Sequence, residues 1–134
     1  MNIHKKKILI PLPQYGCDPS EVAIPWLLLN EKLFEITFIT PNGHIAVTDE
    51  IMLTGKSLGL LKPILQARQD AVIAYRQMEK CPAFNNPLKY TDVNADDFDG
   101  LLLPGGHDKS VKAYLESEIL QKLVVDFFNE NKPV

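Results

Sequence analysis

No apolar run in these 134 residues approaches the roughly 18 that a helical membrane span needs, and the opening MNIHKKK lacks the apolar stretch and small-residue cleavage site of a secretory leader. A membrane partner is therefore not expected, and the cytoplasm is the default compartment. Cysteine is scarce. Cys17 and Cys81 show no CxxC or Cys/His spacing, so neither a disulfide framework nor a metal site is expected, and both read as reduced thiols. Basic runs are nearly missing: Lys5 to Lys7 is the longest, and a formal charge of -3 removes the electrostatic reason to expect nucleic acid. Internal repeats, low-complexity tracts and linkers are absent too, which leaves one domain.

What is present fits a globular chain, 46% apolar and 23% charged, long enough to bury a core. KILIPL (Lys7 to Leu12) and ITFIT (Ile36 to Thr40) are short β-branched runs closed by proline-containing turns, and each predicts a buried strand. Between them, Asp18-Pro19-Ser20-Glu21 supplies helix-cap chemistry, and Glu21 to Lys32 is apolar on most faces. Pro25 is read as close enough to the first turn to be tolerated. Strand, helix and strand at this spacing make a βαβ unit with a parallel sheet and a right-handed crossover. Leu60 to Met78 has helical periodicity and reads as a helix beside the sheet. Leu101 to Leu103 predicts a third strand, and Val111 to Asn129 a single amphipathic helix. Lys132-Pro133-Val134 begins what should be the next parallel strand.

In an open parallel sheet, function gathers at the carboxyl ends of the strands. Two segments fall there: Pro13 to Glu21 after the first strand, and Pro104 to Lys109 after the third. Gly105 and Gly106 let backbone approach a ligand, and their amides are suited to a developing oxyanion or a carboxylate. The alternative is a tight turn into the next helix. The first strand ends without an acidic pair or a phosphate-binding glycine loop, which weighs against a receiver domain or a flavodoxin.

Five motifs in order, DPSEVAIPW (Asp18 to Trp26), TPNG (Thr40 to Gly43), FDGLLLPGGH (Phe98 to His107), YLES (Tyr114 to Ser117) and NKPV (Asn131 to Val134), resemble the ThiJ/PfpI family, also called DJ-1/PfpI. That family lies in the class I glutamine amidotransferase-like superfamily. The segment from Leu60 to Met78 resembles the branch of heat-shock chaperones with glyoxalase III or deglycase activity. The resemblance implies a flavodoxin-like, doubly wound parallel sheet in a three-layer sandwich, a cysteine nucleophile on a strand-to-helix elbow, and no cofactor. It implies Glu21 as a buried acid that hydrogen-bonds the thiolate; the residue's own setting also fits a first-turn carboxylate beside the helix dipole. Gly105 and Gly106 would line the oxyanion site. His107 would contact substrate or orient a neighbour, or simply face solvent, as His4 and His44 are expected to do.

The departure from the family is at the end of the chain. The elbow cysteine that should follow Lys132-Pro133-Val134 is not among these residues, and neither Cys17 nor Cys81 stands where it would be. Residues 1–134 are therefore expected to be the N-terminal portion of one DJ-1/PfpI-like domain with its C-terminal part missing. An open apolar edge invites a partner: a complementing C-terminal segment, or a second copy, since the family implies a homodimer. The intact protein is expected to be a cysteine-dependent glyoxalase, amidase, peptidase or deglycase acting on a small reactive carbonyl or amide. The alternative is a nucleophile-free module with a chaperone-like or stress-related binding role.

Overall fold

The computed structural model describes residues 4–56, 59–65 and 67–134. Lys7–Pro11 forms β1, and Tyr15–Cys17 forms the short β2. Asp18 caps α1 (Pro19–Glu31): its Oδ1 accepts from the amides of Ser20 at 2.7 Å and Glu21 at 3.3 Å, satisfying two of the donors a helix start leaves free. β3 is Glu35–Thr40 and β4 is Val47–Thr48, after which Asp49 caps α2 (Glu50–Thr54) in the same way. Helices α3 (Lys62–Leu65), α4 (Gln69–Met78) and α5 (Pro82–Asn85) follow. Strands β5 (Leu88–Lys89) and β6 (Gly100–Leu101) then precede α6 (Val111–Leu115) and α7 (Glu118–Asn129).

The main sheet is parallel, in the order β5-β3-β1-β6. β1 pairs with β3 from Lys7↔Glu35 to Pro11↔Ile39, and on its other side with β6 through Ile8↔Gly100 and Leu9↔Leu101. β2 and β4 form a second, two-stranded parallel ribbon. Asp99 secures the junction between β1 and β6, taking the Lys7 amide at 2.8 Å and the Lys6 ammonium at 3.0 Å. The Lys7 bond is the larger cause, with Lys6 second, of that carboxyl's depression below its ordinary pKa.

Successive side chains of a strand point to opposite faces, so apolar strands serve two cores at once. Ile10 and Phe38 turn to one face, where Trp26 of α1, Ala74, Tyr75 and Met78 of α4, and Phe84 of α5 cover them. Leu9, Ile39 and Leu101 turn to the other, under Tyr114 of α6 and Leu120, Leu123 and Phe127 of α7. Burying each of the larger side chains stabilises the fold by about 1.5–3 kcal/mol. Helices on both faces of a parallel sheet make the doubly wound α/β sandwich that the sequence predicted. No helix among the described residues is long and apolar enough to cross a membrane.

Several local expectations need correction. The single helix over Leu60 to Met78 is instead a 3-10 turn at Gly59–Leu61, then α3 and a separate α4, because Arg68 takes an extended conformation before α4; Gln66 lies outside the described residues. The helix over Val111 to Asn129 is broken at Ser117, whose hydroxyl accepts the Leu120 amide at 3.3 Å and starts α7 afresh. Pro25 sits well inside α1, beyond the first turn, and removes the donor that would have reached the Glu21 carbonyl. The third strand covers Gly100–Leu101 only. Lys132 to Val134 forms no strand, although the Pro133 carbonyl accepts the Leu101 amide at 3.0 Å on the side of β6 away from β1.

Candidate active site

The loop after β6 and the start of α1 meet at the carboxyl end of β1. Two bonds join them: the Gly105 amide donates to Glu21 Oε2 at 2.6 Å, and the Asp18 amide donates to the Gly105 carbonyl at 2.9 Å. Gly105 is needed because a Cβ there would meet Glu21 Oε2 at 2.7 Å. Gly106 is needed more, since its Cβ would fall on the backbone carbonyl oxygen of Gly16 and within 3.0 Å of Val111 Cγ2.

This geometry separates the two glycines that the sequence grouped together. The Gly105 amide is occupied by Glu21, whereas the Gly106 amide has no partner among the described residues and remains available to an oxygen anion. Glu21 was expected to be buried. It is exposed, with its carboxylate accepting the Gly105 amide at the surface. His107 is also exposed, 74% at its side chain, with Nε2 3.9 Å from Asp18 Oδ2. His4 and His44 are exposed as expected, apart from this loop.

Three residues that the sequence reading passed over hold the floor of the site. Gly16, at φ +93, lets β2 pass beneath the loop, where a Cβ would meet Ser110 Oγ at 2.6 Å and Asp108 Cβ at 2.7 Å. Ser110 Oγ lies 2.8 Å from the Tyr15 carbonyl and 2.6 Å from Asp108 Oδ1. The hydroxyl and then the amide of Ser110 hold the Asp108 carboxyl below its ordinary pKa. The Asp-x-Ser spacing at Asp108 and Ser110 was the available signal, since it favours this kind of local turn.

Asp18, Glu21 and His107 each bring one possible metal-ligand atom within 4.8 Å of the others, a grouping that sequence spacing did not reveal. The set is chemically suited to a divalent transition ion. Its two carboxylates are already engaged, however, Asp18 by the amides of Ser20 and Glu21 and Glu21 by the Gly105 amide, beside the positive end of α1. We therefore read the cluster as anchoring the loop.

Neither cysteine presents a nucleophile here. Cys17 is on β2 and 1% exposed, not on an open loop; burial, first, pushes its thiol up to about 11, against its side-chain hydrogen bond with Thr48, which lowers it. Cys81 packs half-buried against the α1/α4 core. With an aromatic disulfide reagent at pH 8, Cys17 is expected to stay unreacted in the folded chain and to react at once in denaturant. Rapid labelling of Cys17 without denaturant would contradict this burial.

With the glycine loop placed, similarity to known proteins can be stated. A family model described as ThiJ/PfpI family-like matches residues 12–134. The chain belongs to this family. An uncharacterised protein of Schizosaccharomyces pombe is 28% identical over 123 residues, covering 90% of this chain and 45% of that protein. Among solved structures, glyoxalase III of Candida albicans superposes with a TM-score of 0.64 at 17% identity, covering 96% of this chain and 55% of the other. A DJ-1 superfamily protein of Agrobacterium tumefaciens gives 0.52 at 17% identity, covering 95% and 50%. The two structures are alike in fold, and this chain spans about half the length of the relatives it matches.

Proposed function

We propose that this chain carries the acid and oxyanion half of a cofactor-independent, thiol-dependent enzyme acting on small reactive carbonyls or amides, and that its nucleophile comes from a segment outside these 134 residues. The observation that carries the reading is the Glu21–Gly105 bond, which holds a carboxylate next to the unpaired Gly106 amide. A thiolate brought to this point would attack the carbonyl carbon, the C=O electron pair would move onto oxygen, and the Gly106 N–H would hold the oxyanion. Glu21 would carry the proton to and from the reacting groups, and His107 would contact the substrate from the rim. The solved Candida albicans protein of the same fold is a glyoxalase III, which supports a small reactive carbonyl as substrate. Action in the cytoplasm, as a homodimer or with a complementing segment, belongs to the same proposal.

The test is methylglyoxal turnover by the chain joined to the segment that brings the thiol. Glu21→Ala is expected to lower kcat/KM about a hundredfold or more, the usual contribution of a positioned acid or base. Unchanged turnover would remove Glu21 from the mechanism. A second reading, a non-catalytic binding module, is favoured by the burial of Cys17 and by the packing of Cys81 into the core. It requires no turnover that a thiol-blocking reagent abolishes, either by the 134-residue chain alone or by the chain joined to the thiol-bearing segment.

A further inference from the structure

Strand β4 and helices α2, α4 and α5 surround a cavity of about 430 Å³ on the α1/α4 face of the sheet, away from α6 and α7. Its walls all come from between Ile45 and Asn85, and none belongs to the loop that holds Glu21. The floor is apolar, made by the buried Leu53, Tyr75 and Phe84. Its polar groups are satisfied from within: the Tyr75 hydroxyl is bonded to Thr48, and Thr48 Oγ1 donates to the Cys17 carbonyl at 2.7 Å. A ligand therefore meets hydrocarbon and aromatic surface at the bottom, the usual make-up of a small-molecule site.

The rim is different, because its free polar atoms are acceptors. The Asn85 side-chain amide donates both its hydrogens inward, to the Glu79 carbonyl at 2.7 Å and the Cys81 carbonyl at 3.0 Å, which leaves Oδ1 open. The Glu50 carboxylate is exposed and has no partner among the described residues. Glu79 spends Oε2 on Arg76 Nη1 at 2.8 Å and keeps Oε1. Arg76 is the one cation among the described lining residues, and Glu50 adds to the field it feels from Glu79. One guanidinium against two carboxylates leaves the mouth a charge short of neutral, on the negative side.

We propose that this cavity binds a small organic cation, a primary amine on an apolar body, with the ammonium between Glu50, Glu79 and Asn85 and the body on Tyr75, Phe84 and Leu53. An ammonium carries three donors and no acceptor, the complement of a rim whose open atoms accept. It also brings the missing positive charge, so the filled site is neutral. A carboxylate of the same shape fits less well, since Arg76 is already bound to Glu79 and the surplus charge repels it. The site is separate from the Glu21–Gly105 loop, and the inference goes beyond the proposed function without resting on it.

The probe is phenethylamine, titrated into the 134-residue chain by calorimetry and by amide resonances, with 3-phenylpropionate as the anion of matching shape. Saturable one-to-one binding of the amine is expected, with a dissociation constant of about a millimolar or tighter and shifts centred on Leu53, Thr54, Tyr75 and Phe84. Glu50→Gln, at an exposed position that leaves the floor intact, should weaken it roughly five- to tenfold, and Glu118→Gln on α7 should leave it unchanged. With Glu50→Gln and Glu79→Gln together, Arg76 is the only charge on the described rim, and the preference should turn to the carboxylate. Thr54→Trp, on the exposed rim, should close the mouth and abolish binding while the thermal midpoint holds. No saturable binding, or shifts that lie elsewhere, overturns the site. Affinity indifferent to Glu50→Gln, or 3-phenylpropionate binding as tightly as the amine, overturns the assignment of a cation.

Discussion

Phe38→Ala is expected to lower the unfolding free energy by about 3–5 kcal/mol, seen as a lower urea midpoint with an unchanged slope. Phe38 is 1% exposed at the centre of the α1/α4 core and meets Phe84 edge-on, with ring centroids 5.4 Å apart; Phe84 in turn meets Tyr75 at 6.1 Å. Removing the ring leaves a void between a strand and two helices that cannot close without moving the sheet. Against a typical total of about 5–15 kcal/mol, the loss would leave the fold marginal at room temperature. A loss below about 1 kcal/mol would mean that this aromatic group is loosely packed.

The second large effect falls on the site. Gly106→Ala places a methyl group against the Gly16 carbonyl oxygen, which is backbone and cannot swing aside, and the loop cannot retreat because Gly105 is held at both its amide and its carbonyl. We expect a destabilisation of about 1–3 kcal/mol, typical of overpacking, together with loss of the Glu21–Gly105 bond, read as a shift of the Gly105 amide resonance. Gly105→Ala meets only the end of the Glu21 side chain, at 2.7 Å, and should cost less, because that side chain can rotate away. Equal stability of the two variants would show that the loop is not pinned.

The sequence was readable where one physical cause dominates. β1 and β3 are buried on both faces, so they appear as continuous apolar runs, and Asp18 was visible as a cap because cap chemistry is local. β2, β4 and β5 are two or three residues long and leave no periodicity to detect. The break at Ser117 was hidden by apolar spacing that continues through it, although Ser117-Glu118 is itself a helix start. The occupancy of the Gly105 amide by Glu21 joins positions 84 residues apart, and no local pattern encodes it. Family resemblance located the loop, but which of its amides is free had to come from the geometry.

The register Ile8↔Gly100 carries a kinetic consequence. β1, α1 and β3 lie close together along the chain and can assemble by closing a short loop. Joining β6 to β1 means bringing together residues about ninety positions apart, and the entropy of that closure has to be met before any contact rewards it. β6 is therefore expected to arrive after the βαβ unit, carrying Gly105 and Gly106 to Glu21 in the same step. Until then Glu21 stands on a formed helix with no loop to hold, so the closure of β6 onto β1 and the assembly of the candidate site are one and the same step.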